Sequence, residues 1–419
     1  MHVSGTVRVP GDKSISHRAL MLGALGSGDS RITGLLPSAD VQSTASMLRA
    51  LGVAMPDISP DVMVVAGVGL GGLRASAHDL DGGNSGTTTR LMAGVLAACP
   101  FASRVIGDAS LSTRPMQRVS KPLTAMGARF EFENGDGLPM TVHGGALHGI
   151  TWRSEHASAQ VKSAILLAGL VANVPVEVHE PAFTRDHTER MLRGRGLDVR
   201  SEGTMVTFVP GRPLAAMDTA VPGDPSSATF FAALAALATS GEIALENVCT
   251  NPSRTGAFVV LDRMGVRLGW EDVRENGGEP VGTLVVAPRR VVGTVIEPRE
   301  VPSLIDELPM LACVGARAVG ETRVTGAAEL RVKESDRIAA VVQNLRAIGA
   351  VAEELPDGFV VQGSDRPLAG RVVTHGDHRI AMAFGILGAL PGNKIEIDDP
   401  DCVRVSYPEF WNDLARAIR

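Results

Sequence analysis

Five charged side chains fall within seven residues, in the run Arg331-Val332-Lys333-Glu334-Ser335-Asp336-Arg337. Neighbouring cations keep a carboxylate ionised, so Glu334 could transfer a proton while the cations hold an anionic substrate. A charged helix start, in which Glu334 and Arg337 pair at i,i+3, explains the same residues equally well.

A second group of reactive side chains lies in the segment Gly11-Asp12-Lys13-Ser14-Ile15-Ser16-His17-Arg18. Asp12 is a residue type that caps helices. A helix that begins here would present free N–H groups, together with Lys13, Ser14 and Arg18, to an anion. The alternative is a capped helix whose cations face solvent.

Other cations are also clustered, although the chain carries a formal net charge of −6. The clusters are Arg114, Arg118 and Lys121, and Arg185, Arg190, Arg193 and Arg195. Local cationic clusters on an acidic chain indicate a small anionic ligand. For the second cluster we favour a solvated helix face.

Composition argues against several classes of function. The net charge and the 4% of aromatic residues do not suit nucleic-acid binding. Cys99, Cys249, Cys313 and Cys402 lack zinc-ligand or disulfide spacing, so we expect no metal, and no cofactor is indicated. We find no signal peptide and no segment that could span a bilayer, so we expect a cytoplasmic protein without a membrane partner.

The glycine motif Gly67-Val68-Gly69-Leu70-Gly71-Gly72 matches the dinucleotide-binding pattern G-x-G-x-x-G. That pattern requires a helix next, whereas Leu73–Leu80 has the pattern of a strand. We therefore predict a glycine-rich hairpin here rather than a nucleotide site.

Six polar clusters at roughly regular spacing each open an apolar, alanine-rich segment. They lie at Asp12, Asn84, Ala159, Asp224, the segment Ser303–Asp306, and Asp377. A second helix follows and ends at a glycine, as at Leu51-Gly52 and Met126-Gly127, where glycine is the expected terminator. This self-similarity predicts six units, each with two helices and a hairpin of strands.

The first helix of each unit is apolar nearly all round, as in Ala164–Ala172, and such a helix must be buried. We therefore predict helices inside and sheets outside. Because 419 residues exceed a usual single core, the six units should form two groups of three.

Taken together, these segments resemble the enolpyruvyl transferases, and among them the group that acts on shikimate 3-phosphate. The matching stretches span the chain in order: GDKSISHRA at 11–19, GNSGTTTRL at 83–91, STRPM at 112–116, SAQVKSA at 158–164, RDHTE at 185–189, GDPSSATF at 223–230, PSLIDELP at 302–309, RVKESDR at 331–337 and GDHRIAMA at 376–383. The combination is far more specific than any single motif.

The resemblance implies an α/β (α+β) fold made of two inside-out α/β barrel domains, each with three βαβαββ units. One domain would be discontinuous, comprising residues 1–11 plus 223–419. The other would comprise residues 12–222, with the active site in the cleft between the two.

The implied reaction transfers the enolpyruvyl group of phosphoenolpyruvate to the 5-hydroxyl of shikimate 3-phosphate. Its implied partners are these two small anions, and we expect a monomer. The implied catalytic residues are Asp306 as base, Glu334 as acid at carbon, and Lys13 near the leaving phosphate.

The resemblance also implies two sets of substrate contacts. Those for shikimate 3-phosphate are Lys13, Ser14, Arg18, Ser158, Ala159, Gln160, Arg185, Asp306 and Lys333. Those for phosphoenolpyruvate are Lys13, Asn84, Gly86, Arg114, Gln160, Arg337 and Arg379.

The chain departs from the family pattern near its end. Many members carry a late lysine that contacts phosphoenolpyruvate, but here that place is Val405, next to Arg404. Two other features give opposite indications of glyphosate sensitivity. The segment Asn251-Pro252-Ser253-Arg254 is a variant of a motif found in members with low sensitivity, whereas Gly86 leaves room for the inhibitor.

Two alternatives remain at this point. One is the sister transferase that acts on UDP-N-acetylglucosamine, whose usual reactive cysteine has no counterpart in the loop Gly107–Pro115. The other is an inactive binding module on the same fold, against which the joint presence of Lys13, Asp306 and Glu334 argues.

Overall fold

The structure is a computed structural model that describes residues 1–418. The helices are α1 (Lys13–Leu25), α2 (Ala39–Ala50), α3 (Gly86–Ala97), α4 (Ala109–Ser112), α5 (Gln117–Ala125), α6 (Ala159–Ala172), α7 (His187–Gly194), α8 (Pro225–Leu237), α9 (Gly256–Arg263), α10 (Leu308–Gly315), α11 (Arg337–Ala347), α12 (His378–Gly388) and α13 (Phe410–Ala417). Arg419, the last position of the predicted discontinuous domain, lies outside the described residues.

The strands are short, and most belong to sheets of three or four. They are β1 (His2–Val3), β2 (Thr6–Val7), β3 (Ser27–Thr33), β4 (Met63–Val68), β5 (Leu80–Asp81), β6 (Ala102–Ile106), β7 (Arg129–Phe132), β8 (Met140–His143), β9 (Ile150–Arg153), β10 (Val176–His179), β11 (Asp198–Glu202), β12 (Met205–Val209), β13 (Thr219–Ala220), β14 (Ser240–Gly241), β15 (Ile243–Cys249), β16 (Arg267–Asn276), β17 (Glu279–Ala287), β18 (Val295–Ile296), β19 (Glu321–Val324), β20 (Val351–Leu355), β21 (Gly358–Gln362), β22 (Ala369–Val372) and β23 (Lys394–Ile397).

Two compact units divide the chain. The discontinuous unit comprises Met1–Pro10, Gly223–Arg274 and the chain from Pro280 onward. The inserted unit comprises Gly11–Pro222 together with Glu275–Glu279, the turn between β16 and β17.

In the inserted unit, α1, α3 and α6 are the buried helices. Its sheets have the strand orders β11-β12-β10-β9, β5-β6-β8-β7 and β13-β3-β4. A Cβ atom on Gly94 of α3 would lie only 2.2 Å from the carbonyl oxygen of Ala164 in α6. Glycine is therefore what allows these two helices to approach so closely.

In the discontinuous unit, α8, α10 and α12 are buried and pack against one another. Its larger sheets have the orders β16-β17-β15-β2 and β18-β19-β21-β20, and β22-β23 and β1-β14 are separate pairs. Strand β2 joins its sheet through parallel pairing with β15, with Thr6 opposite Ala244. The prediction that the first helix of each unit is buried is thus confirmed in both units.

The predicted helix boundaries are confirmed at most positions. Side chains cap five of the first helices by accepting a backbone N–H bond: Asp12, Ser85, Ser158, Asp224 and Asp377. Glycines with positive φ follow five of the second helices, at Gly52 (93°), Gly127 (117°), Gly196 (77°), Gly265 (91°) and Gly349 (91°). These are the expected left-handed terminators.

The fifth polar cluster precedes a helix, as predicted, because α10 begins at Leu308. The cluster itself lies in the 3₁₀ turns Val301–Ser303 and Ile305–Glu307 and gives α10 no side-chain cap. One prediction of local structure is wrong. The segment Leu73–Leu80 forms no hairpin with β4, and only its last residue enters a strand, β5. A local turn, in which Ser76 Oγ bonds the backbone of His78, replaces the predicted strand.

Candidate functional site

The N-terminus of α1 presents Lys13 and Ser14 at half-buried positions. The Lys13 ammonium lies 2.9 Å from the Oδ2 atom of Asp40, which belongs to the first turn of α2. Side-chain exposure is 20% for Lys13 and 11% for Asp40. This carboxylate was not among the predicted site residues, and it fixes the lysine next to the free N–H groups of the helix.

Arg18 lies one turn further along α1 and is buried. Its Nε donates to Thr188 Oγ1 at 2.7 Å, its Nη2 to Ser163 Oγ at 2.7 Å, and its Nη1 to the carbonyl of Ser14 at 2.9 Å. These contacts use three of the five N–H groups of a guanidinium, so two can serve a ligand. Burial lowers the pKa of Arg18 to about 10, and the side chain therefore stays charged at neutral pH.

At the start of α3, three predicted residues come together. Arg114 Nη2 donates to Asn84 Oδ1 at 2.9 Å, and Asn84 Nδ2 donates to Asp108 Oδ2 at 2.6 Å. A Cβ atom on Gly86 would lie 3.5 Å from Arg114 Nη1 and 3.1 Å from Arg90 Nη1. Glycine thus leaves both guanidinium groups room at this helix N-terminus.

Arg90 is a site residue that the sequence analysis missed. Its Nη1 donates to Gln160 Oε1 at 2.7 Å, and Gln160 Nε2 donates to Thr87 Oγ1 at 2.9 Å. The signal was present in the stretch GNSGTTTRL, because Arg90 lies four residues after Gly86 and so on the same face of α3.

The start of α6 and the loop before α7 supply the remaining predicted residues of the inserted unit. Ser158 Oγ caps α6, Ala159 is its first residue, and Gln160 follows. Arg185 is half-buried in the loop, two residues before α7. Arg190 belongs to the same predicted cationic cluster as Arg185. It stabilises its own helix, because it pairs with Asp186 at 2.9 Å.

In the discontinuous unit, Arg337 joins the two carboxylates that were predicted to transfer protons. Its Nη1 lies 3.2 Å from Asp306 Oδ1, and its Nη2 lies 2.7 Å from Glu334 Oε2. Its Nε donates to Asp377 Oδ2 at 2.8 Å. The Arg337 side chain is only 1% exposed, so one buried guanidinium orients all three carboxylates.

The electrostatics of Arg337 and Asp377 favour the charged forms of these two groups. Burial by itself lowers the pKa of Arg337, but the carboxylates of Asp377, Glu334 and Asp306 outweigh burial and raise the pKa. Burial likewise raises the pKa of Asp377, and the charge of Arg337 outweighs it, so that the pKa lies below its usual value. The pair is therefore ionised across the physiological range.

Two more predicted cations lie beside Asp306. Lys333 Nζ is 3.6 Å from Asp306 Oδ1, and Arg379 Nη1 donates to the Asp306 carbonyl at 3.1 Å. Arg379 also approaches Glu307 Oε1, at 3.9 Å. The aspartate thus lies among cations that could hold an anionic substrate.

Position 405, where many family members carry a lysine, is a valine in this chain. Val405 ends a 3₁₀ turn, and the neighbouring Arg404 is 75% exposed and pairs with Asp401 at 3.3 Å. Arg404 therefore makes a local surface ion pair in the structure.

Among residues 1–418, no group of three or more His, Cys, Asp and Glu side chains is arranged to hold a metal ion. Within the same residues, every helix is too short or too polar to cross a membrane.

Comparison with known proteins adds independent evidence. The family model of EPSP synthase (3-phosphoshikimate 1-carboxyvinyltransferase) matches residues 1–414. The 3-phosphoshikimate 1-carboxyvinyltransferase of Sulfurihydrogenibium sp. (strain YO3AOP1) is 46% identical, over 100% of this chain and 98% of its own length. The protein of the same name from Alkalilimnicola ehrlichii is 50% identical, over 97% and 91%.

A solved structure, EPSP synthase from Acinetobacter baumannii, superimposes with a TM-score of 0.90 at 42% identity. The match covers 99% of this chain and 96% of that one. The predicted fold class, a two-domain inside-out α/β fold, is confirmed by this likeness.

Proposed function

Since this chain belongs to the EPSP synthase (3-phosphoshikimate 1-carboxyvinyltransferase) family, we propose that the side chains described above carry out the family's reaction. The enzyme transfers the enolpyruvyl group of phosphoenolpyruvate to the 5-hydroxyl of shikimate 3-phosphate and releases phosphate. This reaction belongs to the shikimate pathway, which leads to chorismate and the aromatic amino acids.

In the addition step, the 5-hydroxyl oxygen bonds to C2 of phosphoenolpyruvate. Asp306 takes the hydroxyl proton, and Glu334 gives a proton to the C3 methylene, which becomes a methyl group. In the elimination step, C3 returns a proton to Glu334 while the bond from C2 to the phosphate oxygen breaks, and the proton that Asp306 took passes to the departing phosphate, so both carboxyl groups return to their starting states. Lys13 balances the charge of the departing phosphate.

The binding roles that we propose are those that the family resemblance implies. Shikimate 3-phosphate is held by Lys13, Ser14, Arg18, Ser158, Ala159, Gln160, Arg185, Asp306 and Lys333. Phosphoenolpyruvate is held by Lys13, Asn84, Gly86, Arg114, Gln160, Arg337 and Arg379. Helix N-termini add backbone N–H groups to both sets, and Arg90 supports the second set by orienting Gln160.

The contact of Arg337 with both Asp306 and Glu334 is the observation that carries the assignment of roles. General acid–base catalysis of an addition needs one group at the hydroxyl and another at carbon. A single guanidinium that contacts both carboxylates supplies a fixed geometry for such a pair.

We also propose that the enzyme acts as a monomer. A cytoplasmic location suits phosphorylated substrates, which do not cross membranes unaided. Size-exclusion chromatography with light scattering tests the first point, and a dimer mass would contradict it.

The test of function is phosphate release from phosphoenolpyruvate in metal-free buffer, with and without shikimate 3-phosphate. We expect release only when the acceptor is present. Asp306→Asn should abolish most of it, while Glu353→Gln, at an exposed carboxylate of the same unit, should not. Release with UDP-N-acetylglucosamine instead would favour the sister transferase, and silence with both acceptors would favour a binding module.

A further inference from the structure

Lys162 is a fully buried cation for which the reaction described above has no use. Its ammonium lies 2.7 Å from Glu180 Oε2 and 2.8 Å from Glu189 Oε1. The exposed fractions of the three side chains are 1%, 2% and 1%. Burying charges in this way is costly unless each is paired, so the cluster calls for an explanation beyond stability.

The two carboxylates stand at the two ends of the loop that carries Arg185. Glu180 directly follows β10, and Glu189 lies in the first turn of α7. Both bind the same ammonium, so residues 180–189 form a ring that closes on Lys162. Inside the ring, Thr184 Oγ1 donates to Glu180 Oε1 at 2.5 Å, which fixes the residue just before Arg185.

Lys162 itself belongs to the first turn of α6, two residues after Gln160. A second contact lies beside the ion pair of Lys162 with Glu189. Thr188, next to Glu189, donates through its Oγ1 to the Oγ of Ser163, next to Lys162, at 2.8 Å. Arg18 donates to both of these hydroxyl groups at 2.7 Å. The start of α6 and the start of α7 are therefore joined by two layers of polar contacts.

The charge of Lys162 suits a permanent clamp. Burial alone lowers the pKa of Lys162, but Glu189 and Glu180 outweigh burial and raise it. The ammonium consequently remains charged wherever the enzyme is folded and active.

We propose that Lys162 is a positioning residue, which closes the loop 180–189 on the first turn of α6 and thereby sets Arg185 against Ser158 and Gln160 for binding of the phosphorylated acceptor. Glu180 and Glu189 are the two anchors of this clamp. The inference rests on the proposed roles of Arg185, Ser158 and Gln160. It also gives a function to the lysine of the SAQVK stretch and the glutamate of the RDHTE stretch.

The first experiment compares steady-state kinetics of the full-length enzyme with those of Lys162→Met. We expect the KM for shikimate 3-phosphate to rise about tenfold or more, because small displacements of a binding group are costly. The KM for phosphoenolpyruvate and kcat should change much less. Lys162→Arg keeps the cation and should recover most of the lost affinity. An unchanged KM for shikimate 3-phosphate in a folded Lys162→Met enzyme overturns the proposal.

A second variant covers the case in which Lys162→Met fails to fold around two unpaired carboxylates. Lys162→Met/Glu180→Gln/Glu189→Gln removes the cation and both anions together, which avoids buried unpaired charge. We expect near-normal thermal stability with the same rise in KM. A stable triple variant with wild-type KM would show that the cluster serves only the fold.

Leu170→Ala is the matched control, since Leu170 lies two turns further along α6 and is 1% exposed. It should lower stability without changing either KM. Hydrogen exchange of residues 180–189, measured without substrate, separates this inference from the proposed function. Faster exchange in Lys162→Met supports the clamp even if the wild-type enzyme uses another acceptor, and unchanged exchange contradicts it.

Discussion

Arg337 shows how much one side chain can organise. Its contacts with Asp306, Glu334 and Asp377 come from three separate parts of the chain, and a planar guanidinium can meet several carboxylates in fixed directions. A lysine at this position would offer one point charge in place of that fork. The roles proposed for Asp306 and Glu334 therefore depend on a residue that itself transfers no proton.

Glu334→Gln isolates the proposed proton donor from the geometry around it. The amide keeps the shape of the side chain but cannot exchange a proton, so turnover should fall by ~10²-fold or more. Affinity for shikimate 3-phosphate, measured by calorimetry, should stay near normal. Glu354→Gln, which breaks a half-exposed ion pair with Arg331, is the control and should keep full turnover. An active Glu334→Gln enzyme would remove this residue from the mechanism.

His17 makes the stability of the enzyme depend on pH. Its Nδ1 lies 2.7 Å from Thr44 Oγ1, while its buried Nε2 has no hydrogen-bond partner. Its pKa is lowered from 6.5 to about 3, chiefly by burial; the charge of Asp40 opposes this effect, and the charges of Lys13 and Arg18 add to it. Between these two pH values the unfolded chain binds more protons than the folded one, so stability must fall as pH falls below 6.5.

His17→Gln should remove that dependence, because the amide stays neutral. Between pH about 7.5 and about 5.5, the wild-type free energy of unfolding should drop by about 1.4 kcal/mol more than that of the variant. Urea unfolding at the two pH values measures the difference. His156→Gln, at an exposed position, should behave like the wild type. Parallel pH profiles for His17→Gln and wild type would mean that the pKa of His17 is the same in the folded and unfolded chains.

At the scale of elements, two buried glycines occupy similar places but meet different surroundings. A Cβ on Gly94 in α3 would clash with the backbone of α6 at 2.2 Å, whereas one on Gly23 in α1 would find its nearest atoms at 3.5 Å. Gly94→Ala should lower the free energy of unfolding by about 1–3 kcal/mol. Gly23→Ala should leave it unchanged or raise it by about 0.5–1 kcal/mol. Equal effects in denaturant titrations would contradict the close packing of α3 on α6.

The elements were predictable wherever the signal was local. The caps at Asp12, Ser85 and Ser158, and the apolar faces that follow them, depend on neighbours in sequence. The strand predicted over Leu73–Leu80 was wrong because a turn at Ser76 competes with extended structure. At α10 the predicted start is confirmed, and 3₁₀ turns form the polar cluster before it.

The supporting residues of the site were not predicted, and the reason is different. Asp40, Arg90 and Lys162 each act through a partner 18 to 70 positions away in the chain. Composition and spacing reveal that such residues are charged, but not which distant group they meet. The family resemblance implied the roles of the predicted residues, and only the structure reveals the contacts of Asp40, Arg90 and Lys162 with their partners.

At the scale of the whole molecule, the inserted unit has ends that meet. The Asp12 N–H donates to the Pro222 carbonyl at 2.7 Å, so residues 11–222 form a segment that starts and finishes at one place. This segment carries its own buried helices and sheets.

We predict that a fragment of residues 11–222 folds cooperatively by itself, as judged by circular dichroism and thermal melting. It should bind shikimate 3-phosphate more weakly than the full chain and turn over no substrate, because it lacks Asp306 and Glu334. A fragment beginning at Gly223 is the comparison, and it should aggregate because β15 loses the strand β2. An unfolded 11–222 fragment would show that the unit depends on the rest of the chain.

The pairing of β2 with β15 also has a consequence in time. The ion pair between Arg8 and Glu246 joins residues 238 positions apart, and a ribosome adds about 5–20 residues per second. The first strands therefore wait on the order of ten to fifty seconds before their partners emerge from the ribosome. Strand β2 therefore belongs to a unit that can be completed only after the whole inserted unit has been synthesised.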